Sequence, residues 1–447
     1  MLRIEELILY RDEEGAPLRK LARLQEQILS MDPLTCPREE KAALTSAYSC
    51  LMQEMIETAE SYGFSGNVWH SYLTYLLVYH ENAYSRACEI RGAVPGGISR
   101  IAMHDLGIFQ ELFRYDFADI EHALGFRMYG TLSEYEFGGD DRRLLSRRIR
   151  DRIQELSARL SESEDTETFK GHIDQFYREF GCGKFGLHKA FRIVHPDGGE
   201  TPAIVPITNI VHMKLDDLVG YETQKQKLRE NTEAFLAGRR ANNCLLFGDA
   251  GTGKSSSIKG ILNEYYDRGL RIIEVYKHQF RDLVDVLAQI KNRNYRFIIY
   301  MDDLSFEEFE TDYKYLKAVI EGGLEKKPEN VLIYATSNRR HLIRENYADK
   351  EGDIRSDMHT SDTVQEKLSL VYRFGVTIYF GAPVKKEFHQ ILKALAERSG
   401  IDMPLEQLYL EANAWELSHG GRSGRTAQQF IDHLLGREPE ESKTEEE

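Results

Sequence analysis

The chain is poor in the residues that staple small or metal-bound folds. Its 447 residues include five cysteines, Cys36, Cys50, Cys88, Cys182 and Cys244. No two form a Cys-x-x-Cys pair, which excludes a zinc ribbon and leaves no disulfide framework. Long apolar runs are also missing. The most apolar stretch, Trp69–Tyr79, is broken by His70 and Thr74 and followed by His80 and Glu81. It falls short of the ~20 residues that a membrane span needs. The opening MLRIEELILYRDEEG carries acid where a signal peptide needs base, so a reducing cytoplasm is the expected address. Positive charge is short as well. A formal net charge of -15 excludes nucleic-acid binding through overall charge. Only a local basic patch could act there, because screening confines each charge to about 8 Å.

What is present supports ordinary packed cores. Hydrophobic residues make up 41% and charged residues 29%, a globular balance, and the length suggests about three domains. No internal repeat is visible. The first part reads as amphipathic helices burying one face. Leu44, Tyr48, Leu51, Met52, Met55 and Ile56 form one stripe. Trp69, Leu73, Leu76, Leu77, His80 and Tyr84 form a second, and Leu145, Ile149, Ile153, Leu156 and Leu160 a third. The aromatics in these stripes read as core. From His195 to Asp217 the pattern changes: Pro196, Pro202 and Pro206 cannot sit inside helices, and Gly198-Gly199 adds freedom. Beyond it, short apolar runs alternate with helical patterns. The runs are 244–247, 271–276, 297–301, 331–335 and 376–380. Such alternation predicts a parallel sheet covered on both faces. The expected organisation is a helical N-terminal domain over 1–195, a linker over 196–215, a sheet domain over 216–381, a helical region over 382–436 and a disordered acidic tail over 437–447.

Gly248-Asp249-Ala250-Gly251-Thr252-Gly253-Lys254-Ser255 fits G-x-x-x-x-G-K-[ST]. It follows an apolar run and opens a patterned helix, the setting that defines a P-loop. Glycines let backbone N–H groups wrap phosphate oxygens, and the helix N-terminus adds partial positive charge. Lys254 is expected to reach the β- and γ-phosphates and Ser255 to bind Mg²⁺, with Ser256 next in the loop. A second apolar run, Phe297–Met301, ends in Asp302-Asp303. Open α/β sheets bind ligands at the carboxyl ends of their strands, so Asp302 is placed to hold the metal and Asp303 to orient or deprotonate water. The run Val331–Ala335 ends in Thr336-Ser337-Asn338, where Asn338 is placed to touch the γ-phosphate and the water.

The order of these pieces resembles the AAA+ ATPases. Asp217-Leu218-Val219-Gly220 looks like the family's adenine-pocket segment, which brings Val219 and Gly220 to the nucleotide. Gly248–Ser255 matches Walker A and Ile298–Asp303 matches Walker B. Asn338 falls at sensor 1, Arg373-Phe374-Gly375 at the arginine finger, and Gly424-Arg425-Thr426-Ala427 at the helix that carries sensor 2. DDLVGYETQKQKL, GDAGTGKSSSIKGILNEY, NVLIYATSNRRHLIRE and EKLSLVYRFG resemble more closely a bacterial AAA+ family known as domain of unknown function 815, over about Gly186–Leu435. The resemblance implies an α/β P-loop NTPase fold, a parallel sheet followed by a small helical lid, with ATP at their junction. It implies that Arg373 acts on a neighbouring subunit's γ-phosphate and that Arg425 contacts it from the same chain. Arg339, Arg340 and Arg344 compete for the finger role. Most AAA+ proteins carry Asp-Glu where this chain has Asp302-Asp303. Asp is one methylene shorter, and Glu307 or Glu308 stands as an alternative. The polar segment 345–367 reads as a mobile loop.

Weaker signals point elsewhere. Gly181–Gly186 fits G-x-G-x-x-G but follows no apolar strand; it reads as a loop entering the ATPase region. Arg142, Arg143, Arg147, Arg148, Arg150 and Arg152 crowd one helix, interrupted by Asp151 and Glu155, and read as a solvated face ahead of a nucleic-acid site. The expected function is thus an ATPase that binds and hydrolyses Mg-ATP. It forms a homo-oligomer through the nucleotide site and couples nucleotide state to movement of a protein client, with no membrane partner. The alternative is an ATP-gated switch or loader with little hydrolysis that binds nucleic acid or a nucleic-acid machine. A third class, protein remodelling, would use an aromatic pore loop, for which Tyr276–Phe280 is the candidate.

Overall fold

The computed structural model describes residues 2–11, 17–30, 37–92, 94–139, 147–196, 199, 201–306, 312–321, 328–338 and 370–437. Expectations for Arg142, Arg143, Leu145, Glu307, Glu308, Arg339, Arg340, Arg344, the segment 345–367 and the tail 438–447 lie outside the described residues. The chain divides into two compact units, Met1–His188 and Lys189–Glu447.

The first unit is helical. The first stripe lies on the helix Arg38–Tyr62. The second follows Val68–Tyr79 only as far as Leu77, because that helix ends at His80 and Tyr84 belongs to the next one, Ala83–Arg91. The described part of the third lies on Arg147–Ser161. Leu44, Tyr48, Leu51, Met52 and Met55 are buried, as are Trp69, Leu73 and Leu77, and Ile149, Ile153, Leu156 and Leu160. Gly63, in the left-handed conformation, ends the first of these helices. Asn67 starts the second by accepting the N–H of His70 at 3.1 Å. The aromatics are core, as expected. Trp69 Nε1 donates to the Leu112 carbonyl at 2.8 Å and its ring meets Phe117 edge-on at 5.2 Å. Gly181–Gly186 belongs to this unit. It follows the helix Thr166–Phe180 and includes the start of a short helix, Gly183–Leu187, where an entry loop was expected.

The second unit is built on seven strands: β1 (Ala190–Val194), β2 (Ala203–Pro206), β3 (Cys244–Gly248), β4 (Leu270–Glu274), β5 (Arg296–Met301), β6 (Val331–Ser337) and β7 (Val376–Phe380). Their order is β2-β1-β4-β5-β6-β3-β7. Every pair is parallel except β1 with β2. The five apolar runs read from the sequence are β3 to β7, with β4 ending at Glu274 ahead of Tyr276. Residues 190–194 and 203–206, assigned by pattern to the helical domain and a linker, instead extend the sheet: Phe191 pairs with Ile273 and with Pro206. Every residue of β6 is buried, and so is all of β5 except Arg296, as a sheet covered on both faces requires.

Three helices close the unit, Lys385–Arg398, Leu405–Ser418 and Gly424–Leu435. They bury Phe388, Ile391, Leu392, Leu408, Phe430 and Ile431 in a core of their own. The registers Phe247↔Ser337, Gly248↔Phe380 and Met301↔Ala335 align the carboxyl ends of β3, β5, β6 and β7. The loops that follow these strands therefore meet at one edge of the sheet.

Candidate functional site

The loop between β3 and the helix Lys254–Tyr265 wraps that edge. Gly248 has φ 134, and a Cβ there would lie 2.1 Å from the Phe380 carbonyl oxygen, so only glycine lets β3 pass so close to the end of β7. Gly251 has φ 73, and a Cβ there would lie 2.9 Å from Ser423 Oγ and 3.0 Å from Arg425 Cβ. This glycine admits the third lid helix, whose Arg425 N–H donates to the Gly251 carbonyl at 3.2 Å. Thr252 is buried and its hydroxyl donates to the Asp249 carbonyl at 2.8 Å. Lys254 is 6% exposed, and its Nζ donates to the carbonyls of Gly248 at 3.0 Å and Asp249 at 2.6 Å. Burial lowers the pKa of its ammonium, against the raising effect of Asp249, Asp303 and Asp302.

Asp302 and Asp303 follow β5 directly. The Ser255 hydroxyl donates to Asp302 Oδ1 at 2.8 Å, and the Thr336 hydroxyl donates to the same oxygen at 2.5 Å. The surroundings alone would raise the Asp302 carboxyl. Its side chain is open to the cavity, however, and the hydrogen bonds outweigh that effect and hold it below its ordinary value. The neighbouring Tyr300 hydroxyl is buried and completes no hydrogen bond in this geometry, although it lies near enough to act on Asp302. Asp303 has φ 49, the left-handed region. Its N–H donates to Thr336 Oγ1 at 3.0 Å, and its carboxylate accepts from Asn338 Nδ2 at 2.9 Å.

These groups face one cavity of about 580 Å³ between the sheet edge and the lid. Val219, Ala250, Gly251, Thr252, Gly253, Lys254, Ser255 and Ser256 line it, together with Asp302, Asp303, Asn338 and Arg425. Four candidates are not brought to the wall. Gly248 lies beneath the loop. Gly220, φ 80, lies beside the lining residues Val219 and Tyr221. Asp249 turns its carboxylate onto the Ala382 N–H at 2.7 Å. Arg373 is also absent from the wall; it is half-buried in the turn before β7. Motif reading did not assign Met213, Tyr221, Thr336, Ile391, Leu395 or Gln428, all of which line the cavity. Ile391 and Leu395 show in the sequence only as a helical stripe. Thr336 shows only as one polar residue at the end of an apolar strand.

The residues present fit a hydrated Mg²⁺. The donors are a hydroxyl and a carboxylate, hard oxygens of the kind that leave most of the shell to water and phosphate, and the Tyr300 hydroxyl beside them lacks a partner. Among the described residues no group of three or more His, Cys, Asp or Glu is arranged as a protein-only metal cage.

The profile of one protein family, described as "Protein of unknown function (DUF815)", matches residues 187–438, more than half of the chain. The chain belongs to this family. Its second unit is a mostly parallel seven-stranded α/β sheet flanked by helices and followed by three closing helices, and its first unit is mainly helical. Among curated proteins none matches. Among solved structures, the chain is similar to the Thermotoga maritima RuvB Holliday junction branch migration motor at 14% identity, covering 49% of this chain and 72% of that one, with a TM-score of 0.32. It is similar to the FIGL-1 AAA domain in complex with ADP at 17% identity, covering 51% and 74%, with a TM-score of 0.36. Both superpositions are loose. Among the described residues no helix is long and apolar enough to cross a membrane.

Proposed function

We propose that the chain is an ATPase that binds Mg-ATP at the sheet edge and transfers the γ-phosphoryl group to water. The observation that carries this is the convergence of Lys254, the Ser255–Asp302 pair and the Asp303–Asn338 pair on one cavity floored by a glycine loop. Lys254 exchanges its two loop carbonyls for β- and γ-phosphate oxygens, and the loop amides and helix N-terminus add to the charge balance. Ser255 and Asp302 would hold Mg²⁺, which when bound neutralises charge on the β- and γ-oxygens. Asp303, steadied by Asn338, accepts a proton from the attacking water. The water oxygen bonds to the γ-phosphorus, the bond to the β–γ bridging oxygen breaks, and ADP and phosphate leave. Val219, Ile391 and Leu395 supply apolar walls suited to the base.

Arg425 acts from the lid of the same chain. Arg373, outside the cavity wall, acts on the γ-phosphate of a neighbouring copy, so the working form is a homo-oligomer. Closure of the lid on nucleotide moves a macromolecular partner. Two arginines of the basic helix are engaged within the chain: Arg152 stacks on Phe180 at 4.0 Å and Arg150 bonds Asp151 at 2.8 Å. This favours a protein client over nucleic acid.

The test is nucleotide binding and phosphate release by the full chain. Lys254→Ala abolishes both. Asp303→Asn retains binding and loses turnover. Normal turnover by the Lys254→Ala protein would sink the reading.

A further inference from the structure

The two acids after β5 are usually thought of as independent parts, one for metal and one for water. Here a single hydroxyl joins them. Thr336 is 1% exposed, at the end of β6. The register Met301↔Ala335 sets it against Asp302 and Asp303. Its Oγ1 donates to Asp302 Oδ1 at 2.5 Å and accepts the Asp303 N–H at 3.0 Å. Its carbonyl accepts the Leu304 N–H at 2.7 Å. A hydroxyl can donate once and accept as well, so this one is used in both senses.

The accepting half matters because of the Asp303 backbone. Only two non-glycine residues among those described have positive φ, Tyr221 and Asp303. Such a conformation persists only where neighbours fix it. Thr336 Oγ1 and the Thr336 carbonyl capture two successive N–H groups, 303 and 304, and so hold the turn. That turn is what aims the Asp303 carboxylate at Asn338, 2.9 Å away.

We infer that Thr336 is the positioning residue of this site: its hydroxyl fixes the Asp302 carboxylate for the metal and pins Asp303 in its left-handed turn, so that the shorter acid reaches the attacking water. The inference rests on the ATPase reading above. It requires a hydroxyl at 336 and is indifferent to the methyl group. Serine therefore replaces threonine, whereas valine, of the same shape, does not.

The experiment compares full-length wild type, Thr336→Ser and Thr336→Val. It reads kcat and KM for ATP, ADP affinity without Mg²⁺, and amide exchange by mass spectrometry over residues 301–306. Thr336→Val should lower kcat about tenfold to a hundredfold, the range for residues that orient a metal ligand. KM and ADP affinity should stay within a few-fold. The Asp303 amide should exchange faster, while the Leu304 amide, bonded to backbone, keeps its protection. Thr336→Ser should behave as wild type in every readout. Wild-type kcat in Thr336→Val, or unchanged protection at Asp303, overturns the inference and leaves the ATPase reading intact. A wild-type protein that binds no nucleotide sinks both. If Thr336→Val does not fold, Thr336→Ala against Thr336→Ser decides: loss in alanine with rescue in serine supports the inference, and equal turnover in the two overturns it.

Discussion

The Asp249 carboxylate accepts the backbone N–H of Ala382 at 2.7 Å, which ties the glycine loop after β3 to the first residues after β7. The Asp249 N–H donates in turn to the Phe380 carbonyl at 2.9 Å, and the Tyr221 hydroxyl donates to the Gly381 carbonyl at 2.8 Å. The peptide that leads from sheet to lid is thus held by the glycine loop that follows β3. Motif reading places Asp249 in the nucleotide loop, where its carboxylate is engaged by the Ala382 N–H. Replacing Asp249 with Ala removes the acceptor and should cost about 1 kcal/mol, or a few degrees in melting temperature. KM for ATP should rise, because the lid is less well placed. Asp249→Asn keeps an oxygen for Ala382 and should stay close to wild type. Thermal melting and steady-state kinetics on the three proteins check this.

Strong local grammar was legible. The P-loop, five strands and the acids after β5 follow from runs of apolar residues joined to helical stripes. β1 and β2 were hidden because Pro202, Pro206 and Gly198-Gly199 read as linker. In the sheet, β2 is an edge strand with Pro206 at its end, where a missing N–H costs no ladder bond. Thr336 was hidden for a different reason. Threonine is a common strand residue, and its contact with Asp302 exists only because β5 and β6 pair in one register across 34 positions.

In the first unit, the Asp105 carboxylate is fully buried and accepts the N–H groups of Ile8, Leu9 and Tyr10 at 3.0, 2.6 and 3.1 Å. Three backbone donors from the N-terminal segment depend on this one side chain. Asp105→Ala takes the acceptor from all three, Tyr10 in a buried place and Ile8 and Leu9 in partly buried ones, and should destabilise the unit by about 2–4 kcal/mol. Chemical denaturation of the full chain, followed through the helical signal, measures it. A loss under 1 kcal/mol would show that water reaches these amides.

His70 gives the same unit a pH dependence. Its Nε2 bonds the Phe113 carbonyl at 2.8 Å, which calls for a proton on that nitrogen. Burial lowers its pKa from the ordinary 6.5, against the raising effect of that carbonyl. The unfolded chain therefore takes up a proton at higher pH than the folded one, and stability rises with pH through this window. The His70 contribution is complete above about pH 6.5 and falls as the pH drops toward the folded value. His172, lowered by burial and by Arg159, acts in the same direction. Melting temperatures at pH 7.5 and 5.5 should differ more for wild type than for His70→Phe. Equal differences would remove His70 from the account.

Arg373 and Lys254 provide the test of a shared site. If the arginine serves a neighbouring copy, Arg373→Ala retains an intact pocket, binds nucleotide and turns over slowly; fingers supplied in trans contribute ~10³–10⁵ in rate. Lys254→Ala has an empty pocket but still presents Arg373. Each protein alone is inactive for a different reason. Mixed in equal amounts, some interfaces pair a good pocket with a good arginine, and those interfaces should hydrolyse ATP. Activity of the mixture should therefore exceed the sum of the two proteins measured singly, and should fall on dilution as the copies part. If Arg373 served its own chain, no mixture would gain. Phosphate release against mixing ratio separates the two arrangements, and it does so without any knowledge of the client.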